Sequence, residues 1–177
     1  TFKNNYRDVE FLSYFNLISG IESGNASYFR RCTIKTDANV LFSGSLNHVS
    51  MSNVNGVKFS GCTFEDKRGY INIIASGGTG IYAINSGFRI DEYCSTPMAQ
   101  EDTTCNGIRT VFSNLLYGVN ASGLSSANFT VHIVNSDFNS WRGIYLNDVD
   151  NAEIILNHLN VPVYNVSTSA SNYRYGI

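Results

Sequence analysis

The chain reads Phe59-Ser-Gly-Cys-Thr-Phe64, and five other segments align with this one without gaps. Each segment ends in a large apolar residue, with Cys, Ser or Asn two residues earlier and an apolar residue five residues earlier. The six segments end at Ile34, Phe64, Phe88, Leu116, Phe138 and Leu159, at intervals of 21 to 30 residues. Such a period indicates one structural turn per repeat, with the extra residues placed in loops.

The hydrophobic pattern within the repeats has a period of two, which is typical of strands. Val57 and Phe59 flank Lys58, for example, and no convincing helical period or leucine-rich signature is present. The pattern predicts an all-β fold, a right-handed single-stranded parallel β-helix of about six coils. We expect an irregular or partial coil over residues 1–28, and coils over 29–177 with a loop insertion at 91–107.

Equivalent residues of successive coils should stack about 4.8 Å apart, so each inward column must be apolar at every level. The alignment predicts two apolar columns, one of which holds the six terminal residues of the repeats. It also predicts a small or polar column at a bend between strands: Cys32, Cys62, Ser86, Asn114, Ser136 and Asn157. The predicted outward column contains Tyr28, Lys58, Tyr82, Thr110, His132 and Glu153.

Composition excludes several classes of protein. The 177 residues carry a net charge of −2, and only 15% of them are charged, which argues against a nucleic-acid binder. The chain contains 22 Asn, 21 Ser and 15 Gly, a composition that favours β-structure with many turns. The sequence contains no run of 18 apolar residues, so it predicts no membrane-spanning helix. Because the sequence stops within a repeat, we interpret it as a piece of a longer chain.

Three motifs resemble right-handed β-helix repeats of the pectate-lyase-like superfamily: Gly56–Phe64, Gly80–Phe88 and Arg142–Leu146. More narrowly, they resemble large secreted surface proteins of Bacteroidota, which are often exported by type IX secretion. The resemblance spans roughly residues 29–177. It implies an extracellular or cell-surface location and a role in adhesion or glycan handling, although a fold alone does not define a function.

The four cysteines fall into two pairs. Cys94 and Cys105 bracket a polar insertion, and a disulfide between them would close this loop and imply an oxidising compartment. Cys32 and Cys62 should lie one above the other in the bend column. We expect two reduced thiols there, because parallel side-chain directions often prevent a disulfide, although a bond between them stays open.

The sequence offers one candidate for acid–base chemistry. His132 and Glu153 should be neighbours in adjacent coils, and a histidine–carboxylate pair can transfer protons. Lys58 and Arg109 are possible bases or substrate clamps beside it. An exposed polar pair explains the same two residues, and the motifs of polygalacturonases and pectate lyases are absent. We therefore expect this segment to lack an enzymatic site of its own.

Binding candidates are mostly aromatic. Tyr28, Tyr82 and Trp141 could stack on sugar rings, with Lys58 and His132 in reach of sugar hydroxyls; ordinary surface tyrosines and a tryptophan that covers a coil corner are the alternatives. Asp148 and Asp150 could hold Ca²⁺, but a turn between strands explains the same residues with fewer assumptions. No other cofactor is expected.

Taken together, these patterns predict a structural or adhesive scaffold outside the cell. It would present a long polar face to glycans, to a cell-surface protein or to a protein of the secretion machinery. The first alternative is a polysaccharide lyase or glycoside hydrolase domain whose groove lies here or in coils beyond this segment. The second alternative is a fibre like a phage tail spike, which would need to trimerise.

Overall fold

A computed structural model describes six stretches of the chain: residues 1–13, 27–41, 46–68, 78–95, 107–124 and 130–160. These residues form strands, turns and bends and contain no α-helix. The period-two pattern also predicts a second short strand after several repeats, at 70–74, 143–146 and 161–164. The first and last of these ranges lie outside the described residues. The one predicted at Gly143–Leu146 is confirmed as part of a longer strand.

The described residues form sixteen strands. In chain order they are β1 Phe2–Lys3, β2 Arg7–Leu12, β3 Ser27–Arg30, β4 Thr33–Thr36, β5 Asn47–Ser52, β6 Val57–Ser60, β7 Thr63–Asp66, β8 Thr79–Ile84, β9 Phe88–Asp91, β10 Thr110–Ser113, β11 Tyr117–Leu124, β12 Val131–Val134, β13 Ser136–Asn139, β14 Arg142–Val149, β15 Ala152–Ile155 and β16 His158–Leu159.

Three parallel sheets are built from every third strand. Sheet A has the order β1-β4-β7-β10-β13-β16, sheet B the order β2-β5-β8-β11-β14, and sheet C the order β3-β6-β9-β12-β15. From β2 onward the chain therefore visits sheets B, C and A in turn and then starts the next level, which we call a rung. The all-β fold with stacked parallel strands is confirmed, and it is consistent with a β-helix solenoid.

The corners between strands depend on left-handed backbone conformations. Asn53 and Asn85 adopt them between sheets B and C, Gly61 and Asn135 between sheets C and A, and Asn114 between sheets A and B. Asn and Gly tolerate positive φ better than other residues, which accounts for part of the high Asn content. The N–H groups of these corner residues continue the ladders: they donate to the carbonyls of Ile84, Ser122, Asp91, Ile155 and Asn139 at 2.9 to 3.1 Å.

An aromatic stack fills the interior behind sheet A. The rings of Phe64, Phe112 and Phe138 lie on successive rungs, with centroids 4.7 Å apart and planes within 3° of parallel. Gly80 and Gly118 face these rings, because an added Cβ would come within 2.7 Å of the Phe112 ring and 2.5 Å of the Phe138 ring. The stack therefore requires the absence of side chains across from it.

Charged groups fill the interior at the corner between sheets A and B. The Arg68 guanidinium donates to both carboxylate oxygens of Asp66, with Nη2 to Oδ2 at 2.7 Å, and the two side chains are 1% and 0% exposed. His48 Nδ1 lies 2.7 Å from Asp8 Oδ2, and both of these side chains are also fully buried. His48 Nε2 lies 3.2 Å from the carbonyl oxygen of Glu65, which only accepts hydrogen bonds. This corner is thus held by paired polar groups.

The register corrects two of the six aligned segments. Segment 83–88 passes from sheet B to sheet C and segment 111–116 leaves sheet A for sheet B, whereas the other four segments pass from sheet C to sheet A. Phe88 and Leu116 therefore do not belong to the column of Ile34, Phe64, Phe138 and Leu159. Phe112 takes that place in the third rung, because residues 92–109 lie between its sheet C strand and its sheet A strand.

The bend column is likewise corrected in its middle. Thr110 takes the place predicted for Ser86 and Asn114, so the column is Cys32, Cys62, Thr110, Ser136 and Asn157. The expected pairing of its side chains with backbone is present. Thr110 Oγ1 accepts from the Cys62 N–H at 3.2 Å and donates to the carbonyl oxygen of Asp91 at 2.7 Å. Asn157 Oδ1 accepts from the Ser136 N–H at 2.9 Å.

Candidate functional site

His132 and Glu153 are direct neighbours on sheet C, as the sequence predicts. They are paired in the β12–β15 register, and His132 Nδ1 lies 2.5 Å from Glu153 Oε2. Their side chains are 22% and 48% exposed, so the pair lies at the surface and is open to solvent. The arrangement permits proton exchange within the pair. Its role as a catalytic pair stays a prediction.

Lys58 shares this face but is held by another carboxylate. Lys58 Nζ lies 2.7 Å from Asp91 Oδ2, and Arg89 Nε donates to the same oxygen at 3.1 Å. Ser60 donates to Asp91 Oδ1 at 2.5 Å. Arg89, which the sequence alignment missed, stands between Lys58 and His132 in the register. Lys58 and Arg89 are therefore both engaged by the carboxylate of Asp91 on the same face.

Arg109 does not lie beside His132 in the sheet C ladder. Its Nε donates to Asp137 Oδ1 on sheet A at 2.6 Å, and its Nη2 donates to the carbonyl oxygens of Ser136 at 3.2 Å and Leu156 at 2.8 Å. These contacts join three rungs, because Arg109 immediately precedes β10 while its partners lie on β13 and just after β15. The geometry supports a structural clamp for Arg109.

The predicted outward column is corrected at two places. Tyr28, Lys58, His132 and Glu153 do share one column of sheet C. Tyr82 instead lies on sheet B, and Thr110 is buried in sheet A. Both misplacements follow from the two segments that cross other corners. The sugar-binding candidates are thus divided between two faces.

The aromatic candidates differ in exposure. Tyr28 is 40% exposed, and the Arg30 guanidinium lies 4.7 Å from its ring centroid. Tyr82 is half-buried on the outer face of sheet B. Trp141 is only 7% exposed, and its backbone N–H donates to the carbonyl oxygen of Leu115 at 2.8 Å across the corner before β14. The burial of Trp141 agrees with a tryptophan that covers a corner and leaves little of the ring for a sugar.

A cluster on the outer face of sheet B was missed at the sequence level. Tyr82, Asn120 and Tyr145 stand side by side in the register of β8, β11 and β14. The rings of Tyr117 and Tyr145 meet edge to face at 5.8 Å, and Arg142 lies 5.0 Å from the Tyr117 centroid and donates to its hydroxyl. We call these five residues the tyrosine face. The repeated triplet Gly-Ile-Tyr at 80–82 and 143–145 is the sequence signal for it.

The weak calcium candidates lie at the end of β14. Asp148 has a left-handed backbone conformation with φ of 53°, and Asn147 Nδ2 donates to its Oδ2 at 3.1 Å. Asp150 follows in an exposed bend. Within the described residues, no group of three or more His, Cys, Asp or Glu side chains could hold a metal ion. Asp148 thus lies within β14 and Asp150 in the bend before β15, and the calcium site stays a prediction.

The cysteines behave differently at their two locations. Cys94 is disulfide-bonded, and Cys105, its predicted partner, lies outside the described residues. Cys32 and Cys62 are free and lie at the same corner on adjacent rungs, which confirms the expected reduced thiols. The Cys62 thiol donates to the Phe29 carbonyl oxygen at 3.3 Å. Burial raises the pKa of Cys62 to about 11, so this thiol stays protonated at neutral pH.

On sheet A, the outward charges are paired across rungs. Lys3 Nζ lies 2.6 Å from Asp37 Oδ2, and Asn4 Nδ2 donates to the same oxygen at 3.2 Å. The hydrogen bonds from Lys3 and Asn4 hold the pKa of Asp37 below its ordinary value. Asp37 therefore remains ionised through mildly acidic pH and ties β1 to the end of β4.

Comparisons with family models, with curated proteins and with solved structures find no match for this chain. No helix among the described residues is long and apolar enough to cross a membrane. The evidence for function therefore comes from the faces of the three sheets and from the cysteines.

Proposed function

We propose that this chain is part of a right-handed parallel β-helix of about six coils that acts outside the cell as a structural or adhesive scaffold. Its partners would be glycans or proteins of the cell surface. The disulfide at Cys94 supports an oxidising compartment, since such bonds rarely persist in the cytosol. Export by type IX secretion is part of the same proposal, because the sequence motifs resemble those of secreted Bacteroidota surface proteins.

The observation that carries the proposal is the in-register stacking of outward side chains. Within each outward row of a sheet, successive levels stand about 4.8 Å apart, so side chains distant in sequence form continuous rows. The buried stack and the corner hydrogen bonds hold the rungs in this register. A stiff face of this kind suits the binding of an extended polymer.

Labelling of intact source cells tests the location. We expect a membrane-impermeant protease or amine reagent to reach the protein without cell lysis, and mass spectrometry to find Cys94 oxidised. A cytosolic protein of the same cells serves as the protected control. Protection of the protein until lysis, together with a reduced Cys94, would contradict the proposal.

One observation favours an enzyme as the first alternative. His132 and Glu153 form a pair, with 2.5 Å between Nδ1 and Oε2. A polysaccharide lyase or hydrolase that used it would lose turnover on His132→Ala. Tyr28→Ala, on the same face, is the matched control. Unchanged release of sugar ends by His132→Ala would remove this pair as the catalytic centre.

The second alternative, a fibre, requires a trimer. For a fibre, light scattering should give the mass of a trimer, and the mass of a monomer would contradict this alternative.

A further inference from the structure

The outer face of sheet B differs from the other two faces in charge over its last four strands. Sheets A and C carry ion pairs on their outer faces, such as Arg109 with Asp137 and Lys58 with Asp91. Sheet B carries the pair of Arg7 with Glu10 on its edge strand β2, but the two outward rows of β5, β8, β11 and β14 contain no charged residue. These rows are Ser50, Tyr82, Asn120, Tyr145 and, beside them, Ser52, Ile84, Ser122, Asn147. This face offers rings, amides and hydroxyls.

We propose that the tyrosine face binds an uncharged, extended polysaccharide strand that lies along the stack of rungs. This inference rests on the proposed function and names the face and the class of ligand. A neutral sugar chain presents C–H-rich ring faces and hydroxyl groups and carries no charge that would need a partner. The outer face of sheet B offers the rings of Tyr82 and Tyr145 to the ring faces of such a chain, and the amide of Asn120 to its hydroxyl groups.

The spacing of the rings supports this ligand. Tyr82 and Tyr145 share one row and are separated by the rung of Asn120, so they stand two rungs or about 9.6 Å apart. This distance corresponds to roughly two sugar units of an extended chain. Two ring faces would then pack against alternate sugars, while the Asn120 amide, which both donates and accepts, lies at the sugar between them.

The site is held in place before a ligand arrives. Tyr145 is 42% exposed, but the edge-to-face contact with Tyr117 limits the motion of its ring. Tyr117 in turn lies against the Arg142 guanidinium, which also donates to its hydroxyl. A preorganised ring loses less conformational entropy on binding than a mobile one. The charge of Arg142 is thereby engaged at the margin of the face.

Affinity electrophoresis of the whole 177-residue chain tests the proposal. The probes are soluble β-glucan, xylan and mannan as neutral polymers, and polygalacturonate as an acidic one. The protein is made in bacteria so that the Asn120-Ala-Ser122 glycosylation sequence remains unmodified. The variants are Tyr145→Ala and Tyr82→Ala. Tyr6→Ala, just before β2, is the matched control, because Tyr6 is 44% exposed and Tyr145 is 42% exposed. Tyr28→Ala tests the competing sugar-binding candidate on sheet C.

We expect at least one neutral polymer to retard the chain and polygalacturonate to retard it less. Each sheet B variant should weaken the neutral binding by about threefold to tenfold, the range of one lost aromatic contact, whereas Tyr6→Ala should change it by less than about twofold. Unfolding midpoints identify any variant with a damaged fold, in which case Tyr145→Leu replaces Tyr145→Ala.

Three results would overturn the inference. Binding of a neutral polymer that is unaffected by both sheet B variants, or equally reduced by Tyr28→Ala, places the site elsewhere and leaves the proposed scaffold function standing. Binding of polygalacturonate alone contradicts the neutral ligand. Retardation by none of the four polymers removes glycan binding from both the inference and the proposed function, although the extracellular location would still be tested separately.

Discussion

The interior contains two regions that are held together by different physics. Behind sheet A, Phe64, Phe112 and Phe138 form a continuous stack of parallel rings. At the corner between sheets A and B, Asp66 and Arg68 form a fully buried ion pair. The first region depends on volume and shape, since its rings and the glycines across from them fill the space. The second depends on pairing, because a buried charge without its partner is strongly unfavourable.

This difference teaches which substitutions each region tolerates. A change that keeps the volume but removes a charge should damage the corner and leave the stack intact. A change that keeps the apolar character but alters the shape should damage the stack moderately and leave the corner intact. The first three predictions below test this contrast, and the fourth concerns the buried thiol of Cys62. Each is measured on the whole chain.

The largest effect is expected for Arg68→Met, which keeps most of the volume and removes the guanidinium. Asp66 would then be a buried carboxylate without its main partner, and we expect a loss of about 3–5 kcal/mol in the free energy of unfolding by urea. The double variant Asp66→Asn with Arg68→Met is the control and should recover at least half of the loss. A cost under about 1 kcal/mol for the single variant would show that the pair contributes little.

Gly80→Ala should have the next largest effect. Its new Cβ would lie 2.6 Å from the Gly118 carbonyl oxygen and 2.7 Å from the Phe112 ring, and the backbone oxygen cannot move away easily. We expect a loss of about 1–3 kcal/mol from overpacking. Ser50→Ala, an outward position on the same sheet, should change stability by less than about 0.5 kcal/mol. Equal stability of the two variants would disprove the close packing of the stack.

Phe112→Leu should cost less, about 1–2 kcal/mol, because an apolar side chain still fills most of the site. The flanking rings of Phe64 and Phe138 would lose their 4.7 Å contacts on either side. Compared with Arg68→Met, this substitution decides whether pairing or packing is the more demanding requirement. The contrast fails if the leucine variant is the less stable of the two in the same urea titration.

The smallest effect concerns the pH dependence at Cys62. Burial raises the pKa of this thiol to about 11, so the folded state keeps its proton more firmly than the unfolded chain, where a thiol titrates near about 8.5. The stabilisation is complete below about pH 8.5 and is lost as the pH rises through about 11. We expect the alkaline decline of stability between these values to be reduced in Cys62→Ala, relative to its own value at pH 7.

Thiol labelling provides the control for this last prediction. At pH 8, iodoacetamide should modify Cys62 only after urea unfolds the chain, because the neutral thiol is a poor nucleophile. Rapid modification of Cys62 in the folded protein would contradict the assigned burial. Peptide mapping distinguishes Cys62 from Cys32, whose side chain is less buried.

Much of the candidate site could be placed from the sequence where the repeats are regular. The pairing of His132 with Glu153 and the stacking of Cys32 on Cys62 followed from an alignment of segments that pass from sheet C to sheet A. The location of Tyr82 could not be obtained in this way. Tyr82 directly precedes segment 83–88, which passes from sheet B to sheet C. This segment has a polar residue, Ser86, two positions before a large apolar one, just as the segments that pass from sheet C to sheet A do.

The sequence by itself determined the stacked parallel strands, the alternation of inward and outward residues, and the polar column at the corner of Cys62. These features repeat from level to level, so the sequence pattern has a period from which they can be predicted. Only the tertiary structure decided which corner each segment crosses, and that Phe112 rather than Phe88 joins the aromatic stack. The physical reason is that all three corners contain left-handed residues, with Asn at each corner, between alternating strands, so the register of neighbouring rungs alone distinguishes the corners.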